Sequence, residues 1–66
     1  MMLKIAVLEL VKGFPLNYYR ILTTYNDVLF ITPEFYDGIE YFRLHLKNDF
    51  TATYNSTDYK ILIMDR

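Results

Sequence analysis

The sequence predicts an all-β chain: a small antiparallel meander of five to six strands, barrel-like, with at most one short helical turn near residues 33–37. Three observations carry this. Turn-forming residues recur at short, regular intervals, at Gly13-Phe14-Pro15, Asn26-Asp27, Asp37-Gly38, Lys47-Asn48-Asp49 and Asn55 to Asp58, as many short strands require. The intervening segments are rich in Tyr, Phe, Ile, Val and Thr, which suit a pleated surface. The stretch YFRLHLKNDFTATYN, residues 41–55, alternates apolar and polar side chains on the period of a strand.

These signals place strands near 3–11, 17–25, 28–32, 39–47, 50–55 and 59–64. The first segment also fits a helix, because Leu3, Val7, Leu10 and Val11 form a helical stripe and Ala6, Leu8 and Glu9 favour helix. An α+β fold with an N-terminal helix over 3–12 is therefore the alternative. Asn26-Asp27 and Lys47-Asn48-Asp49 suit tight hairpin turns, since Asn and Asp tolerate positive φ. Thr32-Pro33-Glu34 reads as a helix start, with a capping hydroxyl, a proline and an acid in order. Alternation from Tyr41 onward limits any helix there to one turn. On the strand that follows, Phe42, Leu44 and Leu46 should face the core, and Arg43, His45 and Lys47 the solvent.

The last strand has apolar residues on both faces, Tyr59, Ile61 and Ile63 on one and Leu62 and Met64 on the other. Such a strand needs cover on both faces. The chain has 66 residues and no cysteine, enough for a single domain over 1–66 but with a marginal core and no disulfide staple. Tyr59, Ile61, Leu62, Ile63 and Met64 are therefore the candidate dimer strand, with a homodimer as the expected state.

Few chemistries are open to this composition. Gly13 and Gly38 are the only glycines, which excludes a glycine-rich phosphate loop. Ser56 is the only serine and carries no nucleophile signature. One histidine and no cysteine cannot build a zinc site in one chain. Most aspartates fall at turns, where they serve the backbone. No catalytic site, metal or cofactor is expected. His45 between Arg43 and Lys47 suits acid–base or phosphate chemistry, but a solvated hairpin face is the favoured reading, because charged alternation on a half-buried strand needs no other explanation. The phenylalanines are expected to form the core, with tyrosines at its rim.

Aromatic and basic residues together define a candidate surface for a partner or a single-stranded nucleic acid: Tyr18, Arg20, Tyr41, Arg43, His45 and Lys47. A net charge of −1 disfavours nucleic acid. The opening apolar run is interrupted by Glu9, no signal-peptide cleavage pattern follows, and no run is long enough to span a bilayer, which predicts a cytoplasmic protein without membrane contact. Residues with AT-rich codons outnumber those with GC-rich codons, an association with phage, viral or mobile-element genes. The expectation is a small non-enzymatic interaction protein that binds a host or cellular protein, inhibition being one way such binding could act. The alternative is a small β-fold that binds single-stranded nucleic acid.

Overall fold

The computed structural model describes residues 2–65. Five strands form one antiparallel sheet: β1 (Leu3–Val11), β2 (Tyr18–Tyr36), β3 (Ile39–Leu46), β4 (Thr51–Asn55) and β5 (Tyr59–Asp65), in the order β4-β3-β2-β1-β5. The sheet is not closed: β4 and β5 are its two edges. The sole helical element among the described residues is a single 3-10 turn at Lys47–Asp49.

The spine is β2, 19 residues long. Two strands were expected here, at 17–25 and 28–32, separated by a hairpin at Asn26-Asp27. The pair is instead a β-bulge. Ile5 pairs Tyr25 and Leu3 pairs Val28, so β2 spends an extra residue opposite β1. A second slip follows, because Val28 pairs Leu46 whereas Phe30 pairs His45. Bulges use the same φ-tolerant residues as turns, and they bend a strand without reversing it. The first half of β2 therefore carries β1 and β5, and the second half carries β3 and β4.

The two halves fold over a common core. Ile5 and Val7 of β1, Val28 at the bend and Leu44 of β3 are fully buried in one cluster. The shortest dimension, 15 Å, suits two layers ~10 Å apart. No helix forms over 3–12, because β2 and β5 flank this segment on either side. In that central position Ile5, Ala6 and Val7 are all buried, so an apolar run needs no helical stripe to explain it.

The helix-start signal at Thr32-Pro33-Glu34 also yields to the sheet. Pro33 lies within β2 opposite Phe42. The Ser56 N–H donates to the Glu40 carbonyl at 2.9 Å, which fixes the hydrogen-bonding phase of β3. In that phase Phe42 directs its backbone groups toward β4, and Pro33 directs its own away from β3, to an edge left open where β1 has ended. Proline is tolerated there, since no ladder bond is lost.

The turns follow their residues. Asp37 and Gly38 both have positive φ (51° and 77°), the pattern of a type I′ hairpin. Asn48 and Asp49 are left-handed (64° and 65°), and the Leu46 N–H donates to the Phe50 carbonyl at 2.7 Å across this turn. The expected division of aromatics does not hold. Phe14, Phe30, Phe35 and Phe50 are exposed, whereas Tyr25, Tyr54 and Tyr59 pack on the core. The inward positions of β2, β4 and β5 carry tyrosine, and position in the pleat outweighs hydrophobicity.

Candidate functional site

Strand pairing sorts side chains by face, because residues directly opposite one another project the same way. On the β5–β1–β2 half, Ile5, Val7, Tyr25, Ile61 and Ile63 face inward. Ala6, Leu8 and Leu10 of β1 face outward, beside Tyr19 and Ile21 of β2 and Lys60 and Leu62 of β5. The Lys60 ammonium lies 4.6 Å from the Tyr19 ring centre, joining the two flanking strands across β1 on this outer face. Ala6 at its centre is fully buried by its neighbours, but among the described residues the rest is open: Tyr19 is 40 %, Ile21 59 % and Leu62 50 % exposed. Leu8 and Leu10 are half-buried between them. The result is an apolar face running over three neighbouring strands, a feature typical of interaction surfaces.

The free edge of β5 adjoins this face. The Leu10 N–H donates to the Asp58 carbonyl at 2.8 Å. Counting from that bond in the β1–β5 register, Lys60 and Leu62 direct their backbone groups to β1, while Tyr59, Ile61 and Ile63 direct theirs outward. On the inner side of this edge lies a cleft of about 450 Å³ between the two halves of the fold. Ile31 and Phe42 form one wall; Tyr59, Ile61 and Ile63 form the other, with Ser56 and Lys60 also lining it. Ile63 is 55 % exposed. The expected two-faced apolar strand is present, and the chain itself leaves much of both faces uncovered.

The six residues of the sequence-derived surface are not brought together. Tyr18 and Arg20 lie at the start of β2, on the β1 side of the sheet, with Arg20 opposite Glu9. Tyr41, Arg43 and His45 lie on β3, on the outer face of the other half. Lys47 has left the strand and sits, exposed, in the 3-10 turn. Leu44 is buried as expected and Phe42 and Leu46 are half-buried; Arg43 and His45 are half-covered rather than solvated.

Cross-strand partners supply that cover, and they occupy the charges. The Arg43 Nε and Nη2 donate to Glu34 at 2.6 and 2.9 Å. The Tyr36 hydroxyl donates to the same carboxylate at 2.8 Å. Hydrogen bonds from Arg43 and then Tyr36 hold the Glu34 carboxyl below its usual range, and Glu34 in turn raises the Arg43 guanidinium above its own. Arg20 Nε donates to Glu9 at 2.6 Å, which raises Arg20 likewise. His45 Nε2 is 2.8 Å from the Thr32 hydroxyl, and its ring stacks on Phe30 at 4.2 Å. One ring nitrogen and one ring face of His45 thus have partners, and among the described residues no carboxylate hydrogen-bonds to it. Among the described residues, no group of three or more His, Asp or Glu side chains is placed to hold a metal ion, and no helix is long and apolar enough to cross a membrane.

The class defined by these features is a small open β-sheet folded on itself, with one uncovered apolar face and one free apolar edge. No protein-family model, curated protein or solved structure matches the chain. Sequence reasoning missed Leu8, Leu10, Tyr19 and Ile21. The signal was present: β1 is apolar at 6, 8 and 10 as well as at 3, 5 and 7, the two-faced pattern that marked β5.

Proposed function

We propose that the protein is a small, non-enzymatic protein-binding module. Its docking surface is the outer face formed by Leu8, Leu10, Tyr19, Ile21 and Leu62. The observation that carries this reading is the contiguity of that face: three adjacent strands present apolar side chains outward, and Tyr19, Ile21 and Leu62 stand exposed on it among the described residues. The partner it suits is a protein with an apolar patch of its own, met in the cytoplasm, and a host protein if the gene belongs to a phage, virus or mobile element. Occupying a surface of the partner is sufficient for inhibition and needs no chemistry. Single-stranded nucleic acid is the weaker reading. Arg20 and Arg43 already hold carboxylates, and the stacking aromatics lie on different faces.

The test is site-specific photo-crosslinking in the source cells from position 21, with position 53, opposite Arg43 on β4, as control. The captured protein is then purified and titrated. Ile21→Glu should weaken binding by at least about tenfold, as expected for an apolar anchor, and Thr53→Glu should leave it nearly unchanged. The reading fails if crosslinks at the two positions are alike. It fails equally if labelled single-stranded oligonucleotides bind with strong salt dependence and no protein does.

A further inference from the structure

We infer that β5 pairs with β5 of a second copy, antiparallel, about a two-fold axis through Leu62. Tyr59, Ile61 and Ile63 offer N–H and C=O groups at an open edge, and unpaired edges are templates for another strand. The other terminal edge is unlike it. By the same phasing β4 offers Thr51, Thr53 and Asn55, polar residues on a five-residue strand. A strand added to β5 must also place apolar side chains over the cleft beside Ile61 and Ile63. The chain contains such a strand in β5 itself.

Symmetry then selects the register. A two-fold axis normal to the sheet keeps each face on its own side, so opposed residues share a face. Hydrogen-bonded pairs must join residues whose backbone groups point outward, namely 59, 61 and 63. Centring the axis on Leu62 satisfies both conditions. Ile61 pairs Ile63 of the second copy, twice over, through about four backbone hydrogen bonds. Leu62 meets its own symmetry mate as a non-hydrogen-bonded pair on the outer face. This centring overlaps the whole strand, Tyr59–Asp65, whereas an axis on Ile61 leaves Met64 without a strand residue opposite. Each copy's Ile61 and Ile63 then lie beside the other's cleft, and the two sheets join as β4-β3-β2-β1-β5-β5-β1-β2-β3-β4. The outer apolar faces become coplanar and continuous across Leu62. This deepens the proposed function, on which it partly rests: the docking face is doubled, while the pairing itself depends on the edge alone.

The chain has no cysteine of its own, so single-cysteine variants report the register directly. A non-hydrogen-bonded antiparallel pair holds its Cα atoms about 4.5 Å apart, within the ~4.4–6.8 Å a disulfide spans. Leu62→Cys should therefore form a covalent dimer on mild oxidation, at least about tenfold faster than Lys60→Cys, whose symmetry mate lies several residues along the strand. Light scattering at roughly 1–100 μM should show twice the 8.0 kDa chain with a micromolar midpoint, suited to a short interface. Ile63→Lys should return it to a monomer with an unchanged circular dichroism spectrum. A wild-type monomer at 100 μM, or equal oxidation rates for the two cysteine variants, overturns the inference. So does a dimer that Ile63→Lys leaves intact, which would assign association to the outer face. The two proposals separate cleanly: Ile21→Glu should abolish partner capture and keep the dimer, and Ile63→Lys the reverse.

Discussion

The hydroxyls of Tyr25 and Tyr54 lie 2.5 Å apart, although Tyr25 is on the half of β2 that carries β1 and Tyr54 is on β4, at the far edge of the sheet. The bond ties the two layers together where no backbone ladder does. Tyr59 of β5 extends the cluster, its ring centre 5.2 Å from that of Tyr54 in an edge-to-face arrangement. Tyr54→Phe keeps the ring and removes the bond, so it should cost about 1 kcal/mol in chemical denaturation.

The same contact makes the protein sensitive to alkali. Burial, then the bond to Tyr25, pushes the Tyr54 phenol up to about 12. An unfolded tyrosine titrates near 10. Between these values the folded state holds a proton that the unfolded state has released, so stability falls as pH rises. The contribution is complete below pH ~10 and gone above the folded value. Unfolding midpoints from pH 9 to 12 should fall less steeply in Tyr54→Phe than in wild type.

Glu34 gives the opposite dependence. Arg43 and Tyr36 hold its carboxyl below the ordinary range, so the unfolded state binds the proton first as pH falls. The stabilisation is complete above pH ~4.3, the unfolded value, and is lost as pH drops through the folded one. Urea midpoints of wild type and Glu34→Gln should differ most at neutral pH and converge in acid. High salt should narrow the neutral-pH difference, because the pair is near the surface.

Leu44 is fully buried against Ile5, Val7 and Val28, at the point where the layers meet. Leu44→Ala should cost about 2–5 kcal/mol. A chain of this size has a total stability of roughly 3–10 kcal/mol, so the variant should lose a large share of it and melt at a clearly lower temperature by circular dichroism. Phe50→Ala is the contrast: Phe50 is 68 % exposed, and its loss should shift stability by less than about 0.5 kcal/mol.

Strict alternation made β3 and β4 legible from sequence, because only one face of each is buried and a one-residue slip would invert it. Leu44, Ala52 and Tyr54 point inward as the pattern requires. The path of β2 was not legible. Asn26-Asp27 carries the same chemistry whether the chain reverses or bulges, and the choice is made by β1, whose residues Leu3 and Ile5 pair on either side of it. Pro33 was misread for a related reason: a helix N-terminus and an open strand edge both lack a use for its missing N–H. At the candidate site the sequence marked Ile61, Leu62 and Ile63 through their two-faced pattern. It could not place Arg20 and Arg43 on separate faces, nor show that Glu9 and Glu34 hold them, because those pairings arise from register.

The outer face should be dispensable for folding of the single chain. Ile21 is 59 % exposed and sits outside the buried cluster, so Ile21→Glu removes little apolar contact and leaves no charge stranded in a core. Its effect on unfolding free energy should stay within about 0.5 kcal/mol. Its effect on surface chemistry should be large. A dye that fluoresces on apolar protein surface should bind the wild type in its native state, and Ile21→Glu should remove most of that signal by placing a charge amid Leu8, Leu10, Tyr19 and Leu62. Thr53→Glu, opposite Arg43 on β4, should leave dye binding unchanged. The decisive comparison is stability against dye binding in the same two variants. If Ile21→Glu instead unfolds the chain, the face belongs to the fold's own core, and the docking surface must be sought along the β5 edge.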